Sequence, residues 1–111
     1  MGVRRSEMAR FDVYANPDST ERKLIPFFLD VQNDHVKGIQ TRVVVPMWKS
    51  GLLPARAEDL NPEFEVAGQR VVMDTPALGA VPVSALHRAI DNIAAQQLVI
   101  QSALDTLFGS H

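Results

Sequence analysis

Thr41-Arg42-Val43-Val44-Val45-Pro46 is the stretch on which the fold turns. Successive residues of a strand point to opposite faces, so three valines in a row make both faces apolar. Such a strand sits either centrally in a sheet or in a subunit contact, and Val43, Val44 and Val45 are expected to be largely buried. On its N-terminal side, Phe27 to Gln32 reads as the neighbouring strand, with Pro26 just ahead of it where a missing N–H is tolerated. Phe11-Asp12-Val13-Tyr14 alternates apolar and polar, then stops at the turn formers Asn16-Pro17-Asp18-Ser19. On the C-terminal side, residues 47–62 hold Trp48, Gly51, Pro54 and Pro62 and read as irregular. Phe64-Glu65-Val66 and Arg70-Val71-Val72-Met73 flank Ala67-Gly68-Gln69, a hairpin with glycine at the permissive position. Thr75 to Gly79 is a loop, and Val81-Pro82-Val83 is an edge strand because of its proline.

The chain changes character at Ser84. From there to Phe108 it has neither Pro nor Gly, and Leu86, Ile90, Ile93, Ile100, Leu104 and Leu107 recur at helical spacing. Ser84 reads as the N-cap and Gly109 as the stop. An unbroken helix over residues 85–108 would be about 36 Å long. A domain of this length has a radius of gyration of only ~13 Å. The helix is therefore expected to break near residues 91–95, or to lie along a dimer. Strands followed by a helix make an α+β plan.

With 111 residues the chain is one domain. Residues 1–8 are expected to form a disordered, unpatterned extension ahead of a single domain over residues 9–111. Met1 to Met8 contains two arginines with no apolar run behind them, so no signal peptide is expected. No stretch approaches the ~18 apolar residues of a membrane span. Eleven Lys and Arg against thirteen Asp and Glu leave a formal net charge of −2, which disfavours direct nucleic-acid binding. The absence of cysteine excludes disulfides, thiolate zinc sites and Cys nucleophiles, and suits a reducing cytoplasm.

The polar residues offer little chemistry. Asp30, Gln32 and Asp34 share one strand face next to His35, which reads as a solvated face running into a loop rather than a metal or acid/base site. His35, His87 and His111 include no pair at the i, i+4 spacing of a helical zinc site. Ser84 and His87 lack an aspartate in register, so Ser84 is read as a cap and not a nucleophile. Gly51, Gly68 and Gly79 are isolated, so there is no phosphate-cradling loop. Glu63 and Glu65 read as a wet strand face, and Trp48 as closing one side of a core. No catalytic constellation, cofactor site or metal site emerges.

The order of the pieces is more informative than any one of them. Phe11-Asp12-Val13-Tyr14, Phe28-Leu29-Asp30-Val31-Gln32-Asn33-Asp34 and Arg42-Val43-Val44-Val45-Pro46-Met47 resemble the N-terminal half of CcdB-type toxins. Val72-Met73-Asp74-Thr75-Pro76, Val81-Pro82-Val83-Ser84 and the helix ending Ser102-Ala103-Leu104-Asp105-Thr106-Leu107-Phe108 continue the match over roughly residues 9–108. The resemblance implies an SH3-like small barrel of antiparallel strands with a C-terminal helix, forming a cytoplasmic homodimer. It implies the toxin of a plasmid or chromosomal toxin–antitoxin pair, which binds the DNA gyrase A subunit and traps it on cleaved DNA without catalysis. A disordered segment of a CcdA-like antitoxin would fold onto the toxin and remove it.

By position, the family's target contacts fall on His35 and Val36 in the loop and on Asp105 in the helix. The dimer contact is assigned to Val43, Val44 and Val45. The family's Trp-Gly-Ile tip is replaced here by Gly109-Ser110-His111, and Phe108 remains as the candidate anchor. Three explanations of the changed tip stand open: a gyrase with a matching altered surface, a different target, or lost activity. A MazF-type endoribonuclease shares the barrel architecture, but neither its basic groove nor its Pro-x-x-Gly-Asp-type opening is present. A dimeric module without toxicity is the other competing reading.

Overall fold

The computed structural model describes residues 8–34 and 38–109. Its strands are β1 (Asp12–Ala15), β2 (Phe27–Asp30), β3 (Thr41–Lys49), β4 (Glu63–Val66), β5 (Gln69–Met73), β6 (Gly79–Pro82) and β7 (Asp91–Asn92), followed by the helix α1 (Gln97–Phe108). The sheet runs β4-β5-β3-β2-β1-β7, every pairing antiparallel, and β6 adds to β3. The result is a nearly closed small α+β barrel, as the order of strands and helix predicts.

The triple valine is central. β3 pairs with β2 along one edge, and on the other it changes partners, from β6 at Thr41–Val44 to β5 at Met47–Lys49. Pro46 falls in the gap, and its carbonyl accepts the Asp74 N–H at 2.9 Å. The N–H that proline lacks is thus missing where no ladder bond is due. Val45 faces the main core with Val13, Leu29, Met47 and Met73, and Val43 packs against the same cluster. Val44 points to the opposite face, into a second cluster with Tyr14 and Leu86. Both faces of the strand are filled from within one chain, and of the three valines only Val43 keeps partial exposure. Met8 also packs, half-buried, on the second cluster; residues 1–7 lie outside the described residues.

The C-terminal segment departs from the single long helix. Residues 83–85 and 94–96 form 3-10 turns, and α1 has only 12 residues. Asp91 and Asn92 pair with β1 at the point where a break is expected. Asn92 is the agent: its Nδ2 donates to Asp12 Oδ1 at 2.9 Å, and its Oδ1 accepts the Ala94 N–H at 2.9 Å. Short polar side chains of this kind offer the backbone an alternative to helix. Ser84 is therefore not the helix N-cap; Gln96 takes that position without a side-chain bond. Leu86 and Ile93 are buried, but in different clusters, while Ile90 is exposed. Gly109 does stop the helix, at φ 72°, with its N–H donating to the Asp105 carbonyl at 2.8 Å.

The β4–β5 hairpin turns through Ala67 (φ 49°) and Gly68 (φ 81°), the two left-handed positions of a type I′ loop. Glycine accepts this conformation freely, but alanine does not. Ala67→Asn is expected to stabilise the protein by about 0.5–1 kcal/mol by relieving that strain. An unchanged or lower urea midpoint would contradict it.

Candidate functional site

Ile100, Ala103 and Leu104 turn one face of α1 into the main core. Beside that face run Leu98, Gln101, Asp105 and Phe108, spaced three, four and three, as one outer stripe that is half-buried at Gln101 and Asp105 and open at its two ends. Leu98 is 81% exposed and Phe108 is 68% exposed. Phe108 stands one residue ahead of the left-handed Gly109. Asp105, Phe108 and Gly109 lie together at the end of α1. His35, Val36, Ser110 and His111 lie outside the described residues.

A chain of hydrogen bonds runs from that stripe to the segment following β2. Gln101 Nε2 donates to Asp105 Oδ1 at 3.0 Å, and Gln101 Oε1 accepts from the Arg10 guanidinium at 3.0 Å. Arg10 Nε also donates to the Val31 carbonyl at 3.1 Å, and the Arg10 backbone N–H donates to Asp34 Oδ1 at 2.7 Å. The guanidinium carbon stands 4.9 Å from the centre of the Phe11 ring. Phe11 itself is held at φ 74°, a left-handed conformation that costs a bulky residue ~1–3 kcal/mol. That turn lets the Phe11 N–H reach the Asp30 carbonyl at 2.7 Å and its carbonyl accept from Ile93 N–H at 3.0 Å.

Behind this surface lies a buried ion pair. Arg42 Nε donates to Asp30 Oδ2 at 2.7 Å and Arg42 NH2 to Asp30 Oδ1 at 3.0 Å, and the Asp30 side chain is 0% exposed. Gln32 adds its backbone N–H to Asp30 Oδ1 at 2.9 Å, and its side-chain Oε1 accepts the Val43 N–H at 3.0 Å. Asp34 lies 3.9 Å from the same guanidinium. Burial pushes the Asp30 carboxyl above its usual range, and the hydrogen bonds from Arg42 hold it back. Burial likewise raises the Tyr14 phenol, helped by the charges of Asp12 and Asp30, so Tyr14 stays neutral and donates to Asp12 Oδ2 at 3.3 Å.

The expectation of a solvated face over Asp30, Gln32 and Asp34 is therefore corrected. β2 ends at Asp30, and Asp30 and Gln32 are both buried; only Asp34 is open. Asp30 is sealed and both its oxygens are taken, so it serves the fold rather than a substrate. Glu63 is also more than a wet residue: Arg70 Nε at 2.7 Å, Ser50 Oγ at 3.0 Å and Arg56 NH1 at 3.1 Å all donate to it, and these bonds, Arg70's first, hold its carboxyl below the usual range. Trp48 donates its indole N–H to Asp74 Oδ2 at 3.0 Å. Among the described residues no group of three or more His, Cys, Asp or Glu could hold a metal ion, and no helix is long and apolar enough to cross a membrane.

Sequence reasoning missed Arg10 and the Asp30–Arg42 pair. The signal for the pair was present: Asp30 shares a face with Phe28, and Arg42 with Val44, so acid and base stand on adjacent apolar strands. A comparison with the curated proteins returns no match. The sequence profile described as CcdB protein matches residues 10–109, which hold all seven strands and α1. The chain accordingly belongs to the CcdB family, toxins of toxin–antitoxin pairs of the gyrase-poisoning type.

Proposed function

We propose that this protein binds the DNA gyrase A subunit through the end of α1 and residues 35–36, and traps gyrase on cleaved DNA. The observation that carries the reading is the outer stripe of α1, which ends in an open Phe108 beside Asp105 and the left-handed Gly109. His35 and Val36 directly follow Asp34 in sequence, and Ser110 and His111 follow Gly109; all four belong to the proposed contact. The protein acts in the cytoplasm as a homodimer, by binding and not by catalysis. Val43, the one of the three valines with surface left, is the member available to a second copy. A CcdA-like antitoxin segment folding onto the toxin would compete with gyrase.

With Gly109 at the position of the family's tryptophan, Phe108 is the retained aromatic that serves as the anchor. Truncating such an anchor costs ~2 kcal/mol, a ~30-fold loss of affinity. Phe108→Ala is expected to weaken gyrase inhibition by about that factor while the melting temperature stays put. The test is a supercoiling and cleavage assay with gyrase from the source organism and a standard gyrase in parallel. Linear DNA trapped with the source enzyme alone would show that the Gly109-Ser110-His111 tip has co-adapted with its target. No inhibition of either enzyme by a folded protein would remove gyrase from the function.

A further inference from the structure

We propose that Arg10 is a positioning residue that fixes the Val31–Asp34 segment against the outer stripe of α1, so that the two present one rigid surface to the target. The inference rests on the gyrase-binding reading for its target, but the brace itself is a property of the free protein. Arg10 belongs to neither element it joins. It precedes β1, yet its backbone N–H meets Asp34, its Nε meets the Val31 carbonyl, and its guanidinium tip meets Gln101, which in turn holds Asp105.

Two further observations point the same way. The Phe11 backbone is kept in a left-handed conformation, and this places the Arg10 N–H at Asp34 while the Phe11 N–H bonds Asp30. Strain of this kind persists where the surroundings over-determine it and gathers at functional surfaces. Second, the fork of an arginine is planar and presents several donors at fixed angles. It spans the Val31 carbonyl and Gln101 at once, which a lysine ammonium, a single point charge, does not reproduce.

Arg10→Met keeps the side-chain stem and removes the fork. Amide exchange in the free variant is expected to accelerate ~10-fold both in Val31–Asp34 and in the second half of α1. Gyrase A binding is expected to weaken ~10-fold, chiefly through faster dissociation, with the melting temperature nearly unchanged. Arg10→Lys keeps the charge and is expected to rescue little of either. Gln101→Leu cuts only the helix arm; it should free α1 and leave Val31–Asp34 protected, which keeps the test intact should Arg10→Met fold poorly. Unchanged exchange in both segments overturns the brace. Faster exchange with undiminished gyrase binding, or full rescue by lysine, overturns its role at the target surface. A wild-type protein that binds no gyrase sinks the target reading alone, and the exchange data then decide the brace.

Discussion

Arg42→Met is expected to destabilise the protein by about 3–5 kcal/mol at pH 7, the range for a buried ion pair that loses one partner. Asp30 would keep a single described donor, the Gln32 backbone N–H, for a carboxylate with no access to water. Methionine retains much of the arginine stem's bulk, so the loss reports the charge rather than a cavity. The sign with pH follows from the direction of the Asp30 shift. Its carboxyl already lies above the ordinary aspartate range in the folded protein, and losing Arg42 drives it further up. The folded variant then holds a proton that the unfolded chain has released, so its stability falls as pH rises from about 4 through the folded pKa. Urea unfolding should therefore show a larger deficit at pH 7 than at pH 4. The double variant Asp30→Leu with Arg42→Met should recover most of the loss, because the isolated charge is gone. A deficit below ~1 kcal/mol at pH 7 would mean that the pair opens to solvent.

Val44→Asp attacks the same face by addition. Val44 is the cross-strand partner of Asp30 and packs with Tyr14 and Leu86. Directly opposed residues bring their Cβ atoms to about 5 Å, so the new carboxylate would stand beside the existing one and compete for Arg42. Burying a charge without its own partner, next to a like charge, is expected to cost about 3–5 kcal/mol or to abolish folding. Val44→Ala separates the contributions, since loss of two buried methyls alone removes about 1.6 kcal/mol. Equal denaturant midpoints for the two variants would contradict the electrostatic account.

The strands were legible because alternation is a strict signal: Val13, Leu29, Val45 and Met47 share the main core at odd positions, and Tyr14 and Val44 take the other face. The hairpin at Ala67-Gly68 was legible from its glycine. The C-terminal segment was not, since Leu86, Ile90 and Ile93 fall on a helical period by coincidence of spacing. What decides their fate is the pairing of Asp91 and Asn92 with β1, a contact across some eighty residues that no local window contains. Asp30 misled for a related reason. A carboxylate counts as polar in any periodicity, and only its meeting with Arg42 on the adjacent strand makes it an interior residue.

The candidate site divides in the same way. Asp105, Phe108 and Gly109 lie on a regular helix whose faces follow from its core residues, so their shared position could be read along the chain. Arg10 could not be placed, because its partners Asp34 and Gln101 are 24 and 91 residues away.

The way the barrel closes bears on how the protein behaves when crowded. The Ala67 N–H at the tip of the β4–β5 hairpin donates to Asp91 Oδ2 in β7 at 3.2 Å, tying the first strand of the sheet to the last. What free edge remains is short and hostile to strand addition: β7 is Asp91 and Asn92 alone, β4 carries Glu63 and Glu65, and β6 ends in Pro82. Among the described residues an incoming strand finds no flat, uncharged row of amides to copy. Fibril growth therefore has to wait for unfolding, and concentrated samples held well below the melting temperature should stay free of thioflavin-positive material.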